Sequence, residues 1–385
     1  MGGMNPPNVR EIPSLPPARR LAAAASLACA LAPLAFAQDV APDGKPMVEY
    51  TRRAVAARES ADAPALGLVV QRPGEPPVVA VTGLRSATGD IAVSPEDAWH
   101  WGSISKSITA TLVARLVDQG VVGWDDAAGD LLADVAPEMR EAFAFATFRH
   151  LLSHRSGMQA NIPVVRFSEF PQAPEDPVED RARWIRIALD QEPVGELEAV
   201  YHYSNDGYIV AGAMLEAATG ESWETLMRRE VFEPLGLEGA GFGAPNGKGP
   251  YDQPRGHRPS DGGDRPQGRT ADNPAALGPA GRVHMPLADM ARYLRVHAER
   301  DEEFLSAESW ETLHTKPFGG NYALGWVVPD DVARWHNGSN GSWYAEAAFN
   351  LETGVVAAVV VNDGAIGEVQ AAVSGLMGFL LKGED

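Results

Sequence analysis

The chain has 385 residues, 45% of them hydrophobic and 22% charged, with a formal net charge of −20. That length is enough for one large domain or two coupled ones, and the balance is that of a globular protein with a buried core. So acidic a surface argues against nucleic acid and anionic membrane as partners, and leaves a small-molecule or peptide substrate open.

The first element in chain order reads as a leader. Arg19 and Arg20 precede an apolar run from Leu21 to Leu34, and Ala35-Phe36-Ala37 then offers a small-x-small cleavage site before Gln38. This pattern predicts a secretory signal peptide over residues 1–37 and a periplasmic or secreted domain over residues 38–385. The run is short for a membrane span, so no stable insertion is expected after cleavage. The single cysteine, Cys29, lies inside the leader. The remainder therefore has no thiol for a disulfide, a thiolate metal site or a cysteine nucleophile.

Residues 47–60 have helical composition. Residues 66–71 and 78–83 read as strands around a Pro/Gly-rich turn. Trp99-His100-Trp101-Gly102 reads as extended. Beyond it, Ile104, Ile108, Leu112, Leu116 and Val117 recur at helical spacing, so Ser103 is expected to open a buried helix. A mostly helical region is expected between about 120 and 280. Within and just beyond it, residues 254–282 are rich in Gly, Pro, Asp and Arg and read as a long loop, a class often functional. Residues 322–328, 344–350 and 354–361 read as strands. In the tail, Ile366, Val369, Val373, Leu376, Met377 and Leu380 mark an amphipathic helix. The predicted class is α+β: an antiparallel sheet built from both termini, flanked by helices, with a mostly helical insertion.

Three segments carry candidate chemistry. In Ser103-Ile104-Ser105-Lys106, positions i and i+3 share a helix face, so the amine can reach the hydroxyl. A helix start also presents free N–H groups to an oxyanion, and burial near it favours a neutral lysine. In Tyr203-Ser204-Asn205, the tyrosine is a candidate phenolate-type base or relay; the asparagine can hold a substrate carbonyl or fix the lysine. In His336-Asn337-Gly338-Ser339, the glycine allows close backbone approach, and the following N–H is a candidate second oxyanion donor. His150 and His154, four apart, could share a helix face, but no acidic ligands accompany them as a metal site requires. No G-x-S-x-G elbow occurs.

These three segments, in this order, resemble the serine β-lactamase and penicillin-binding protein superfamily. Y-S-N in place of S-D-N is similar to the class C β-lactamase branch, which includes β-lactamase-related esterases of the family VIII type and D-aminopeptidases. Leu151-Leu152-Ser153-His154-Arg155-Ser156-Gly157 resembles its LLxHxSG stretch, Glu233-Pro234-Leu235-Gly236-Leu237 its PLG turn, and Pro279-Ala280-Gly281 with Asp289-Met290-Ala291-Arg292 its PAG…DMAR segment. Tyr322-Ala323-Leu324-Gly325-Trp326 resembles its YGLGW strand. The resemblance implies a serine hydrolase with Ser103 as nucleophile, Lys106 and Tyr203 sharing the base role, and Asn205, His336, Gly338 and Ser339 binding substrate. The N–H groups of Ser103 and Ser339 would form the oxyanion hole, and no metal or cofactor is implied.

One departure bears on substrate. Efficient class C β-lactamases have a lysine where His336 stands, and a histidine at its ordinary pKa of about 6.5 is only partly charged at neutral pH. This moves weight to esterase, D-amino-acid amidase or peptidase activity. β-Lactamase, D-alanyl-D-alanine carboxypeptidase and a non-catalytic cell-wall or ligand-binding protein remain as alternatives. Arg282 is a surface residue or a replacement cation, and Trp335, Trp343 and Tyr344 are candidate pocket walls.

Overall fold

The computed structural model describes residues 45–247, 249, 252–260 and 265–382. The leader expected over residues 1–37, with Arg19, Arg20 and Cys29, lies outside them.

The strands are β1 (Ala65–Gln71), β2 (Val78–Gly83), β3 (Ala98–His100), β4 (Gly241–Phe242), β5 (His257–Arg258), β6 (Arg265–Pro266), β7 (Val283–Pro286), β8 (Ala333–Ser339), β9 (Tyr344–Asn350) and β10 (Val356–Val361). The main sheet has the order β2-β1-β10-β9-β8, antiparallel throughout. Strands from the two ends of the chain meet at its centre, where Leu66 pairs with Val361.

The central strands are almost continuously apolar because both faces are covered. Leu66, Leu68, Val70, Ala357, Val359 and Val361 pack on one face against Tyr50 and Ala54 of the Lys45–Ser60 helix and Val369, Val373 and Leu376 of the Ile366–Lys382 helix. The alternate residues Ala65, Val69, Val356, Ala358 and Val360 face the opposite core, which contains the Ser105–Asp118 helix. That helix is buried nearly all round, from Ser105 through Ala114 and at Leu116. Its hydroxyls are satisfied internally: Ser105 donates to Gly102 O, Ser107 to Ile104 O and Thr109 to Pro279 O, at 2.7–2.8 Å.

Two expected elements differ. Residues 322–328 form no strand; Tyr322 bridges Val327, and Val327 bridges Trp335. Gly325 turns there at φ +83°, and its Cα lies so close to the Ser105–Asp118 helix that a Cβ would sit 2.6 Å from Ser107 Cα. The 254–282 stretch is not a plain loop. It contains the β5–β6 pair and a helical turn over Gly278–Gly281, and it is pinned to the sheet where His257 N donates to Ser342 O at 2.9 Å.

Candidate active site

Ser103 lies in a 3-10 turn, Gly102–Ile104, and the α-helix begins at Ser105. Gly102 adopts φ +52°, and a Cβ there would lie 2.3 Å from Ser339 N. A Cβ on Gly338 would lie 2.0 Å from Trp101 O and 2.8 Å from Ser103 N. The two glycines therefore let the serine turn dock directly on β8, the edge of the main sheet. Gly338 is approached by the protein's own backbone at Trp101 and Ser103.

The same docking brings the two expected oxyanion donors together. Trp335 N points away from β9, bonding Val327 O at 3.1 Å. Antiparallel pairing alternates direction residue by residue, so Asn337 and Ser339 N–H groups point the same outward way, toward the turn. Ser103 N–H belongs to the first turn of its helical segment, where no intrahelical acceptor exists.

Lys106 is fully buried, and its Nζ lies 3.1 Å from Ser103 Oγ, 2.7 Å from Asn205 Oδ1 and 2.6 Å from Ala280 O. Oδ1 and the carbonyl can only accept, so they take two N–H bonds. In a neutral amine the remaining position, facing Ser103, is the lone pair. Burial pushes the Lys106 pKa well below its ordinary value, as these three neutral partners supply no counter-charge.

The Tyr203 ring centre lies 4.8 Å from Lys106 Nζ, and its hydroxyl is close enough to Ser103 for the serine to act on its pKa. Burial raises its pKa, outweighing the effect of Ser103, which weighs toward the relay role of the two the sequence left open, base or relay. Ser204 caps the Asn205–Thr219 helix, its Oγ accepting from Gly207 N at 2.9 Å, and thereby sets Asn205 in the first helical turn. Asn205 accepts from Lys106 and donates to Asn161 Oδ1 at 2.8 Å. Of the two roles the sequence offered, this geometry displays the lysine-orienting one.

His336 is 2% exposed; it hydrogen-bonds to Tyr322 OH at 2.8 Å through Nε2 and to Asn337 O through Nδ1. The carbonyl accepts, so Nδ1 carries the proton. Burial, then the nearby Lys106, lowers its pKa to about 3. Burial thus drives the enclosed ring toward its neutral form, where the sequence alone suggested a partly charged one.

A family profile described as Beta-lactamase matches residues 50–372. The chain belongs to the beta-lactamase family. Its relatives include Penicillin-binding protein 4 of Amycolatopsis lactamdurans, 28% identical over 333 residues, covering 82% of this chain and 85% of the relative. Among solved structures, the fold matches EstCE1, a hydrolase with promiscuous acyltransferase activity, at TM-score 0.70 and 15% identity, over 86% of this chain and 98% of the other. It also matches D-amino acid amidase from Ochrobactrum anthropi SV3 at TM-score 0.67 and 18% identity, over 86% and 99%. Membership in the beta-lactamase family makes the chain a serine hydrolase, with Ser103, Lys106 and Tyr203 gathered at one point.

Other expectations for this beta-lactamase family member change with the geometry. Trp335 and Tyr344 pack on the far face of the sheet with the terminal helices, and Trp343 fills the core edge-to-face with Trp99. His150 and His154 do not share a helix face, because the Phe148–Leu152 helix ends before His154, which has φ +60°. His150 bonds Glu198, while His154 accepts from Ser204 N at 3.0 Å and so supports the Tyr203 segment. Among the described residues, no cluster of three or more His, Cys, Asp or Glu is placed to hold a metal. Arg282 is neither surface nor free: it is buried, with Nε 3.4 Å from Asp272 and Nη2 donating to Gln172 O at 2.9 Å.

Asn161, Ala280 O, His154 and Tyr322 all serve the site, although sequence reasoning gave them no catalytic part. Ala280 and Tyr322 sit inside segments quoted for the family resemblance. Asn161 stands alone in an unremarkable loop, and nothing local marks it.

Proposed function

We propose that the protein hydrolyses an ester or amide through an acyl-enzyme on Ser103, as a carboxylesterase or a D-amino-acid amidase or peptidase. The supporting observation is the buried Lys106 amine, 3.1 Å from Ser103 Oγ, with neutral acceptors at its other two positions. Its lone pair takes the Ser103 proton as Oγ attacks the substrate carbonyl. The Ser103 and Ser339 N–H groups hold the oxyanion; one such donor is commonly worth about 10²–10³ in rate. The lysine proton passes to the leaving alcohol or amine, directly or across the protonated Tyr203 hydroxyl. Water then repeats the attack on the acyl-enzyme with the same base, releasing the acid and freeing Ser103.

The charge states favour this substrate class over a β-lactam or a D-alanyl-D-alanine terminus. Both of those carry a carboxylate that a fixed cation would serve. Here burial drives both His336 and Lys106 toward their neutral forms, and Arg282 is engaged by Asp272. The kinds of activity printed for the related amidase and EstCE1 agree with an ester or amide substrate. Export, as part of the same proposal, rests on the leader pattern ending at Ala37.

One experiment tests these points together. The protein recovered from the export fraction is treated with a fluorophosphonate, analysed by intact mass and peptide mapping, and assayed on p-nitrophenyl esters, D-alanyl amides and nitrocefin. A single adduct on Ser103, a chain starting at Gln38, and ester or amide turnover well above nitrocefin turnover are expected. Undiminished turnover by a folded Ser103→Ala variant overturns the acyl-enzyme.

A further inference from the structure

A buried carboxylate, Asp272, joins the two backbone segments that carry the oxyanion donors. The geometry points to Asp272, with His100 and Asn340, as a positioning bridge that holds the oxyanion hole in register. This inference rests on the acyl-enzyme reading of Ser103.

The chain of contacts is continuous. Gly102 N–H donates to His100 Nδ1 at 3.1 Å. Nδ1 is therefore unprotonated, and the proton sits on Nε2, which donates to Asp272 Oδ2 at 3.0 Å. The other oxygen, Oδ1, accepts from Asn340 Nδ2 at 2.8 Å. His100 stands three residues before Ser103, and Asn340 directly follows Ser339. One carboxylate thus ties the strand entering the serine turn to the end of β8. The His100 and Asp272 side chains are both fully buried.

Further contacts fix the carboxylate itself. Arg282 Nε lies 3.4 Å from Oδ2, Asn273 N donates to Oδ1 at 2.8 Å, and Gln172 Nε2 donates to the Asp272 carbonyl at 2.5 Å. The bridge matters because the oxyanion hole is split between distant parts of the chain. Ser103 N and Ser339 N must converge on one oxygen, and two glycines leave only van der Waals contact to align them. A hydrogen-bonded strut limits sliding of β8 past the turn. A misplacement on the order of 1 Å can cost about 10² in rate.

The experiment compares Asp272→Asn, Asn340→Ala, His100→Leu and His100→Asn with the unaltered protein and Ser103→Ala, using full ester kinetics and the rate of fluorophosphonate labelling. Circular dichroism and thermal midpoint establish the folded fraction. Asp272→Asn and His100→Leu are expected to lower kcat by about 10- to 100-fold with KM within about twofold, and to slow labelling in parallel. Asn340→Ala removes a single bond of the bridge, so it gives a smaller loss of the same kind. It also keeps the test decisive if Asp272→Asn does not fold, because Asp272 retains His100 and Arg282. His100→Asn keeps an acceptor for the Gly102 N–H and recovers part of the rate lost in His100→Leu. Wild-type kcat and labelling in the folded variants, or losses matching only the unfolded fraction, overturn the bridge. Turnover by Ser103→Ala instead overturns the underlying acyl-enzyme, whatever the bridge variants do.

Discussion

Two buried ionisable groups flank Ser103, and their surroundings drive them to opposite charge states. Lys106 meets a hydroxyl, a side-chain amide oxygen and a main-chain carbonyl, and burial pushes it toward the neutral amine. Asp272 is as deeply buried, and burial by itself raises its pKa. His100, Arg282 and Asn340 outweigh that and hold it near 2. Burial does not decide charge; the neighbours do. The lysine side can accept a proton, while the carboxylate side is locked ionised and can only hold geometry.

Lys106→Met would sharpen this contrast most. Removing a general base is expected to lower kcat by about 10²–10⁴-fold. The same variant is expected to melt higher at neutral pH, because it deletes an uncompensated buried amine. The sign follows from linkage: between the depressed folded value and 10.5 the unfolded chain binds more protons at this site than the folded protein does. The stability contribution of Lys106 is therefore present in full above 10.5 and is lost as pH falls to its depressed folded value. Activity likewise falls on the acid side as the amine protonates. Thermal melts across pH check the claim; the methionine variant should lose that slope, and a lowered melting temperature at all pH values would break the contrast.

Gly338→Ala comes next. Its Cβ must displace Trp101 O and the Ser103 turn, separating the two oxyanion donors. Overpacking of this kind costs about 1–3 kcal/mol. Denaturant unfolding and ester kinetics should show the stability loss together with a large fall in kcat. An active, wild-type-like Gly338→Ala protein would refute the docking of the turn on β8. The smallest effect is expected for Ser204→Ala, which removes the cap of the Asn205–Thr219 helix and should cost about 1 kcal/mol. Its kcat should fall modestly as Asn205 loosens its hold on Lys106, and the pH profile measures that loosening.

Much of this was readable along the chain. Period and composition located the β1–β2 and β9–β10 pairs, the terminal helices and the buried helix after Ser103, because these patterns reflect faces meeting a core. The three motif segments and their order identified the residues that converge. The 322–328 segment failed as a strand because Gly325 passes against Ser107, a contact invisible to local alternation. Tyr344 and Trp335 were misplaced because their face depends on which helices cover the sheet. The 254–282 stretch read only as loop chemistry, and nothing near Asp272 announces its partners at His100 and Asn340.

Ser103 itself shows where the division falls. Local spacing was enough to bring a hydroxyl and an amine onto one helix face, since i and i+3 are neighbours by helical geometry. The downward push on the Lys106 and His336 pKa values and the upward push on that of Tyr203 depended on desolvation and partners supplied from distant segments. The proposed second oxyanion donor, Ser339 N–H, depends on the outward direction of one N–H on an edge strand. Residue identity along the chain set which groups could react. Packing set their charge and aim, because pKa and hydrogen-bond direction are properties of an environment that only the folded chain assembles.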